Sequence, residues 1–143
     1  MRKPRRGSGS RCACDKAVFE DSATDGVSFV DASNAFNNLN RKVALLNIRY
    51  ICPALSTILI NCYRHNSNLF VEGSALQSRE GTTQGDPLAM AMFALATIPL
   101  ISILLEERCK QNWFADDASS GGTLLNLRSW WDTLVERGPS FGY

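Results

Sequence analysis

Residues 113–119 read WFADDAS, and the fold turns on how that stretch is understood. Two carboxylates, Asp116 and Asp117, follow an apolar run of Trp113, Phe114 and Ala115. Apolar runs usually face a core, and an Asp is almost never fully buried unless something compensates its charge. One reading is a solvated turn between two strands, since Asp is a common turn residue. The other is a bound divalent cation, and that reading needs ligands from elsewhere in the chain.

The chain of 143 residues suits one domain with a real core, and its composition, 45% hydrophobic and 20% charged, is that of a globular protein. A net charge of +1 hides an uneven distribution. Arg2, Lys3, Arg5, Arg6 and Arg11 place five of the fifteen basic residues in the first eleven positions; the remainder carries ten against fourteen Asp and Glu. The body is therefore acidic and lacks the basic surplus of a usual nucleic-acid binder. The five cysteines (12, 14, 52, 62 and 109) match no zinc or disulfide framework and read as reduced thiols of an intracellular protein, nuclear or cytoplasmic. No secretory leader is legible, because no apolar run follows the basic start. The single histidine, His65, rules out a two-His metal site and leaves Asp and Glu as ligands for a hard cation.

Residues 1–16, rich in Arg, Lys, Ser and Gly, read as a basic disordered tail, and 17–143 as the domain. Residues 26–30, GVSFV, predict a short buried strand ending at Asp31. Over 39–51, Leu39, Val43, Leu46 and Tyr50 at helical spacing predict an apolar face, with Arg41, Lys42 and Arg49 turned elsewhere. Pro53 opens a second helix to about Arg64. Residues 68–73 and 75–80 suggest two strands about a Gly73-Ser74 turn. GTTQGDP at 81–87 is a loop, with Asp86 as N-cap and Pro87 opening an uncharged helix to Leu105. Such a helix is either buried on all sides or, alternatively, a membrane span, though Ala and Thr dilute it and no second span accompanies it. A hairpin is expected at Asp116-Asp117, then a last helix from Leu124 to about Arg137, stopped by Gly138-Pro139.

If Asp31 and the Asp116-Asp117 hairpin share one antiparallel sheet, the carboxylates converge. Carboxylates ~4 Å apart repel by roughly 4 kcal/mol at an effective dielectric near 20. Mg²⁺ with oxygen ligands is the usual remedy, and two ions ~3.5–4 Å apart can clamp the attacking and leaving oxygens of a phosphoryl transfer. The loop at 81–85 could instead be taken for a phosphate cradle, but a Walker loop ends in Lys-Ser or Lys-Thr, and here Asp-Pro follows.

DASNAF at 31–36, SREGTTQGDPL at 78–88 and FADD at 114–117, in that order, resemble motifs A, B and C of the reverse transcriptases. LRSWWDTLVERGPSFGY at 127–143 resembles the segment after motif C in retroelement polymerases. The resemblance implies an α+β polymerase palm: a small antiparallel sheet packed on helices, with the fingers incomplete and the thumb absent. It implies RNA-templated DNA synthesis with two Mg²⁺ or Mn²⁺ ions, and an RNA template, a DNA primer and deoxynucleoside triphosphates as partners. Asp31 and Asp116 would be the direct metal ligands and Asp117 the supporting acid, with the Ala32 carbonyl completing one metal. Phe36 would crowd the sugar 2′ position, Gln84 and Gly85 would lie beside the templating base pair, and Arg79 could touch template phosphate. The family's basic fingers strands and its lysine after the last motif have no counterpart in the sequence. A palm fragment inactive alone is therefore expected, the alternative being a non-catalytic remnant of a decayed retroelement. No membrane partner is expected, and oligomeric state is open.

Overall fold

The computed structural model describes Lys16, Glu20, residues 24–83 and residues 85–143. The basic tail read at 1–16 thus lies outside the described residues except for Lys16, which pairs with Glu20 at 3.5 Å. The architecture is α+β. Strand β1 (Gly26–Asp31) leads into a single turn of helix, α1 (Ala35–Asn38). Helices α2 (Arg41–Ile51) and α3 (Pro53–Tyr63), the hairpin β2 (Ser67–Val71) and β3 (Ser74–Ser78), and helix α4 (Ala89–Leu105) follow. Strands β4 (Lys110–Phe114) and β5 (Asp117–Gly122) then precede the last helix, α5 (Leu124–Phe141). Strands β1, β5 and β4 form one antiparallel sheet in that order; β2 and β3 pair only with each other.

Alternation along the strands gives the main sheet one packed face and one open face. Val30 and Ala118, opposite each other, turn inward onto Leu100 and Leu104 of α4 and Trp130 and Leu134 of α5. Phe29 and Asp31 occupy the other face and are exposed. Below the packed face the Gln111 side-chain oxygen accepts from both the Trp113 and Trp130 indoles, at 2.9 and 3.2 Å. A second core joins Leu39, Ala44 and Ile48 to Leu59 and Tyr63 and to Met92, Phe93 and Ala96 of α4. Helix α4 serves both cores, so its apolar length has an internal use.

Several expectations are corrected. The inner face of α2 is Arg41, Ala44 and Ile48, while Leu46 and Tyr50 face solvent, Tyr50 at 80% exposure. Arg41 is buried because carbonyls gather around it: Nε donates to Gly81 O, Nη1 to Ser78 O, and Nη2 to Glu80 O and Ser78 Oγ. Its guanidinium also lies 5.5 Å from the Tyr63 ring centroid. The β2–β3 turn falls at Glu72-Gly73, one residue earlier than expected, with both at positive φ as a type I′ turn demands. Helix α4 is buried along one stripe and not all round; Met90, Ile98 and Leu105 are exposed, and among the described residues no helix is long and apolar enough to cross a membrane. Helix α5 runs through Gly138 and Pro139 to Phe141 instead of stopping at Arg137. A proline in the last turn forfeits one hydrogen bond, and the helix ends where Gly142 takes a left-handed φ of 83°.

Candidate active site

Asp31 closes β1 and lies opposite Asp117, the first residue of β5. The Ala32 N–H donates to the Asp116 carbonyl at 3.2 Å, so positions 32 and 116 form the hydrogen-bonded pair. Asp31 and Asp117 are then a non-hydrogen-bonded pair, the closer kind for side chains, and they share the open face. Phe114 stands opposite Asp117 on the far side, which makes a row of Phe114, Asp117 and Asp31 across three strands. Asp116 sits beside them in the two-residue turn Ala115-Asp116, and Ala115 holds a φ of 55°, sparsely populated for a residue with a side chain. The strand register therefore sets Asp31 directly against Asp117, with Asp116 at the turn, where Asp31 and Asp116 had been expected as the leading pair.

Tyr143, which the sequence reading did not single out, meets this group. Its hydroxyl donates to the Asp116 carbonyl at 2.9 Å. Burial pushes its phenol well above the ordinary value of 10.0, and Asp116, Asp117 and Asp31 add to the shift in that order. The phenol thus feels all three carboxylates. A cleft of about 290 Å³ opens alongside, walled by Asp31, Trp131, Val135, Pro139 and Tyr143.

The Gly-rich loop is strapped to the residues that follow Asp31. Gly81 N–H donates to Leu39 O at 2.9 Å and Thr82 N–H to Phe36 O at 2.7 Å. A Cβ on Gly81 would fall 2.3 Å from Asn37 O, so only glycine fits there. Gly85 has φ 86° and open space where a Cβ would point. Asp86 Oδ1 accepts the Leu88 N–H at 2.8 Å, and its other oxygen accepts the Tyr63 hydroxyl. Burial, then the Asp86 carboxylate, raises the Tyr63 phenol. Arg41 fixes the other end of the loop through Ser78, Glu80 and Gly81, a role hidden from a reading that placed it on an outer face.

Phe36 is half-buried, its ring 4.6 Å from that of Phe93, so it belongs to the core while keeping an exposed side. Ala32 is buried beneath the carboxylates. Arg79 is exposed and directs its guanidinium to Gln77 Oε1 at 3.2 and 3.3 Å. Gln84 lies outside the described residues.

The donor set is all oxygen and suits a hard cation. Among the described residues no group of three or more His, Cys, Asp or Glu is placed to hold a metal ion. Mg²⁺ seldom uses a closed protein cage: it takes one or two carboxylates and fills its octahedron with water and substrate phosphate. Asp31 and Asp117 oppose each other as a carboxylate pair, with Asp116 in the adjoining turn. In comparisons with known proteins, the chain matches no family model and no curated protein.

Proposed function

We propose that the chain is the palm portion of a reverse transcriptase, an RNA-directed DNA polymerase of a retroelement. The observation that carries the reading is the pairing of Asp31 with Asp117, from segments far apart in sequence, on the open face of an α+β sheet, with Asp116 in the adjoining turn. Asp31, Asp116 and Asp117, with the Ala32 carbonyl, would hold two divalent ions, Mg²⁺ or Mn²⁺, whose chemistry is activation of the primer 3′-hydroxyl and charge neutralisation on the triphosphate. The open face takes the primer end and the incoming deoxynucleotide. Phe36, braced on Phe93, walls the sugar 2′ position and excludes a ribonucleotide by clash. Gly85, with no side chain, lets the backbone approach the templating pair, Gln84 lies beside it, and Arg79 reaches template phosphate.

A second reading, a non-catalytic palm remnant, draws support from the charge balance. Residues 12–143 hold ten basic against fourteen acidic residues, and phosphate contacts supply most non-specific affinity for nucleic acid. Holding primer, nucleotide and ions together accounts for ~7–11 kcal/mol of such a barrier. The test is cation titration together with primer extension on a primed RNA template. The expected result is Mg²⁺ or Mn²⁺ binding that is lost in Asp31→Asn and Asp116→Asn, without extension by this chain alone. Extension abolished by Asp116→Asn would make the chain a polymerase unaided. Cation binding indifferent to both substitutions would remove the polymerase reading.

A further inference from the structure

The turn that carries Asp116 is poorly suited to hold itself. Its first residue, Ala115, has φ 55° where glycine is the usual occupant, and such a conformation persists only when surrounding contacts over-determine it. Two donors converge on the next carbonyl, the Ala32 N–H at 3.2 Å and the Tyr143 hydroxyl at 2.9 Å, filling both lone pairs of Asp116 O. Tyr143 in turn is rigidly mounted. Its N–H donates to Gly138 O at 3.0 Å, and its ring lies 5.3 Å from Trp113. Gly142 before it has no room for a side chain, since a Cβ would fall 2.0 Å from Asn38 O. Asn40 ties the same helix end to α2, its N–H donating to Phe141 O and its amide to Ser140 O. The ring touches both cores. A phenylalanine would serve the packing equally well; only the hydroxyl reaches Asp116.

We propose that Tyr143 is a positioning residue of the carboxylate site, its hydroxyl locking the Ala115-Asp116 turn and so fixing where Asp116 stands beside Asp31 and Asp117. The proposal rests on the cation-binding reading given above. It assigns the end of α5 a share in cation geometry, transmitted through a single hydrogen bond to the backbone.

The experiment uses the whole chain. Mn²⁺ affinity is measured by calorimetry, and the luminescence lifetime of bound Tb³⁺ in H₂O and D₂O counts the waters left on the ion. Tyr143→Phe keeps the ring and removes the hydroxyl. It should lower Mn²⁺ affinity roughly three- to tenfold, the span of one neutral hydrogen bond, and should shorten the Tb³⁺ lifetime as water replaces a carboxylate oxygen. Replacing Tyr143 with 4-aminophenylalanine restores a donor at the same place and should recover both values. Equal affinity and equal hydration in wild type and Tyr143→Phe would overturn the positioning role and leave the cation site standing. Failure of the wild type to bind either ion would overturn both. Melting is followed in parallel; outright unfolding of Tyr143→Phe would make the hydroxyl a prop of the whole fold and overturn the specific role.

Discussion

Replacing Asp31 by Asn should stabilise the cation-free protein while removing its response to Mg²⁺. Asp31 and Asp117 oppose each other as a non-hydrogen-bonded pair, with Cβ atoms about 4.5–5.5 Å apart in such pairs. At ~5 Å two unit charges repel by about 0.8 kcal/mol in water and about 3 kcal/mol at an effective dielectric of 20. Asp31 is exposed, so the lower figure governs, and about 1 kcal/mol is the expected gain from Asp31→Asn. For a chain of this size that is a rise in Tm of about 3–4 °C. The rise should shrink at high salt, because exposed charges are screened. Mg²⁺ should act unequally on the two proteins. At a hundred times its Kd, a ligand binding only the native state adds about 2.7 kcal/mol, and the wild type should gain that where the variant gains little. The assay is thermal unfolding of both proteins with EDTA and across a Mg²⁺ titration. A variant less stable than wild type in EDTA, or one whose Tm climbs with Mg²⁺ as the wild type's does, would refute the placement of Asp31 in a repelling, cation-binding pair.

Three further outcomes follow from named contacts. Ala115→Gly should raise stability by ~0.5–1 kcal/mol in urea unfolding, since φ 55° suits glycine; a loss would show the turn to be unstrained. Arg41→Met keeps an apolar stem but strands the carbonyls of Ser78, Glu80 and Gly81, and should lose about 3–5 kcal/mol; a loss below ~1 kcal/mol would mean that the guanidinium does not hold the loop. Tyr63 and Tyr143 keep their protons in the folded state above their ordinary value of 10.0, whereas the unfolded chain releases them there. Their contribution is therefore complete below that pH and falls away as pH climbs beyond it, so Tyr143→Phe should flatten the alkaline limb of a stability-against-pH curve; an unchanged limb would count against the burial of the phenol.

Elements whose signal is local were legible in the sequence. The strand ending at Asp31 and the helix opened by Pro53 stand where spacing and turn residues put them. The apolar helix ends before Glu106 as expected but starts at Ala89, with Leu88 and not Asp86 at its N-cap, because the Asp86 side chain is engaged by the Leu88 N–H and the Tyr63 hydroxyl. Elements decided by distant partners were not. Arg41 reads as a surface charge until the carbonyls of residues 78–81 fold back over it, and burying it there turns the α2 face away from Leu46 and Tyr50. Gly138-Pro139 reads as a stop, yet Gly138 is buried against the returning chain end, and the helix continues until Gly142 reverses it. The carboxylates themselves were visible as residue types in order. Which two oppose each other was not, because the register of β1 on β5 is fixed by Val30 and Ala118 meeting the core beneath them. Tyr143 carried no signal at all, since its contact with Asp116 O depends on an 18-residue helix delivering it to a turn formed elsewhere.

Strand β1 must reach its partner β5 across a long stretch of chain, because Asp31 and Asp117 are 86 positions apart. Closing a loop of that length costs about 4 kcal/mol in chain entropy by the (3/2)RT ln n rule, before any strand contact offsets it. The helices α2, α3 and α4 and the β2–β3 hairpin need no such closure and can form from near neighbours. The aspartates therefore come together in the slow, long-range step of folding, the kind that contact order penalises most. An intermediate with its helices formed would carry its acidic groups apart and leave the inner surface of β1 uncovered. The pairing of Asp31 with Asp117 and the covering of β1 are, in this chain, acquired in the same event.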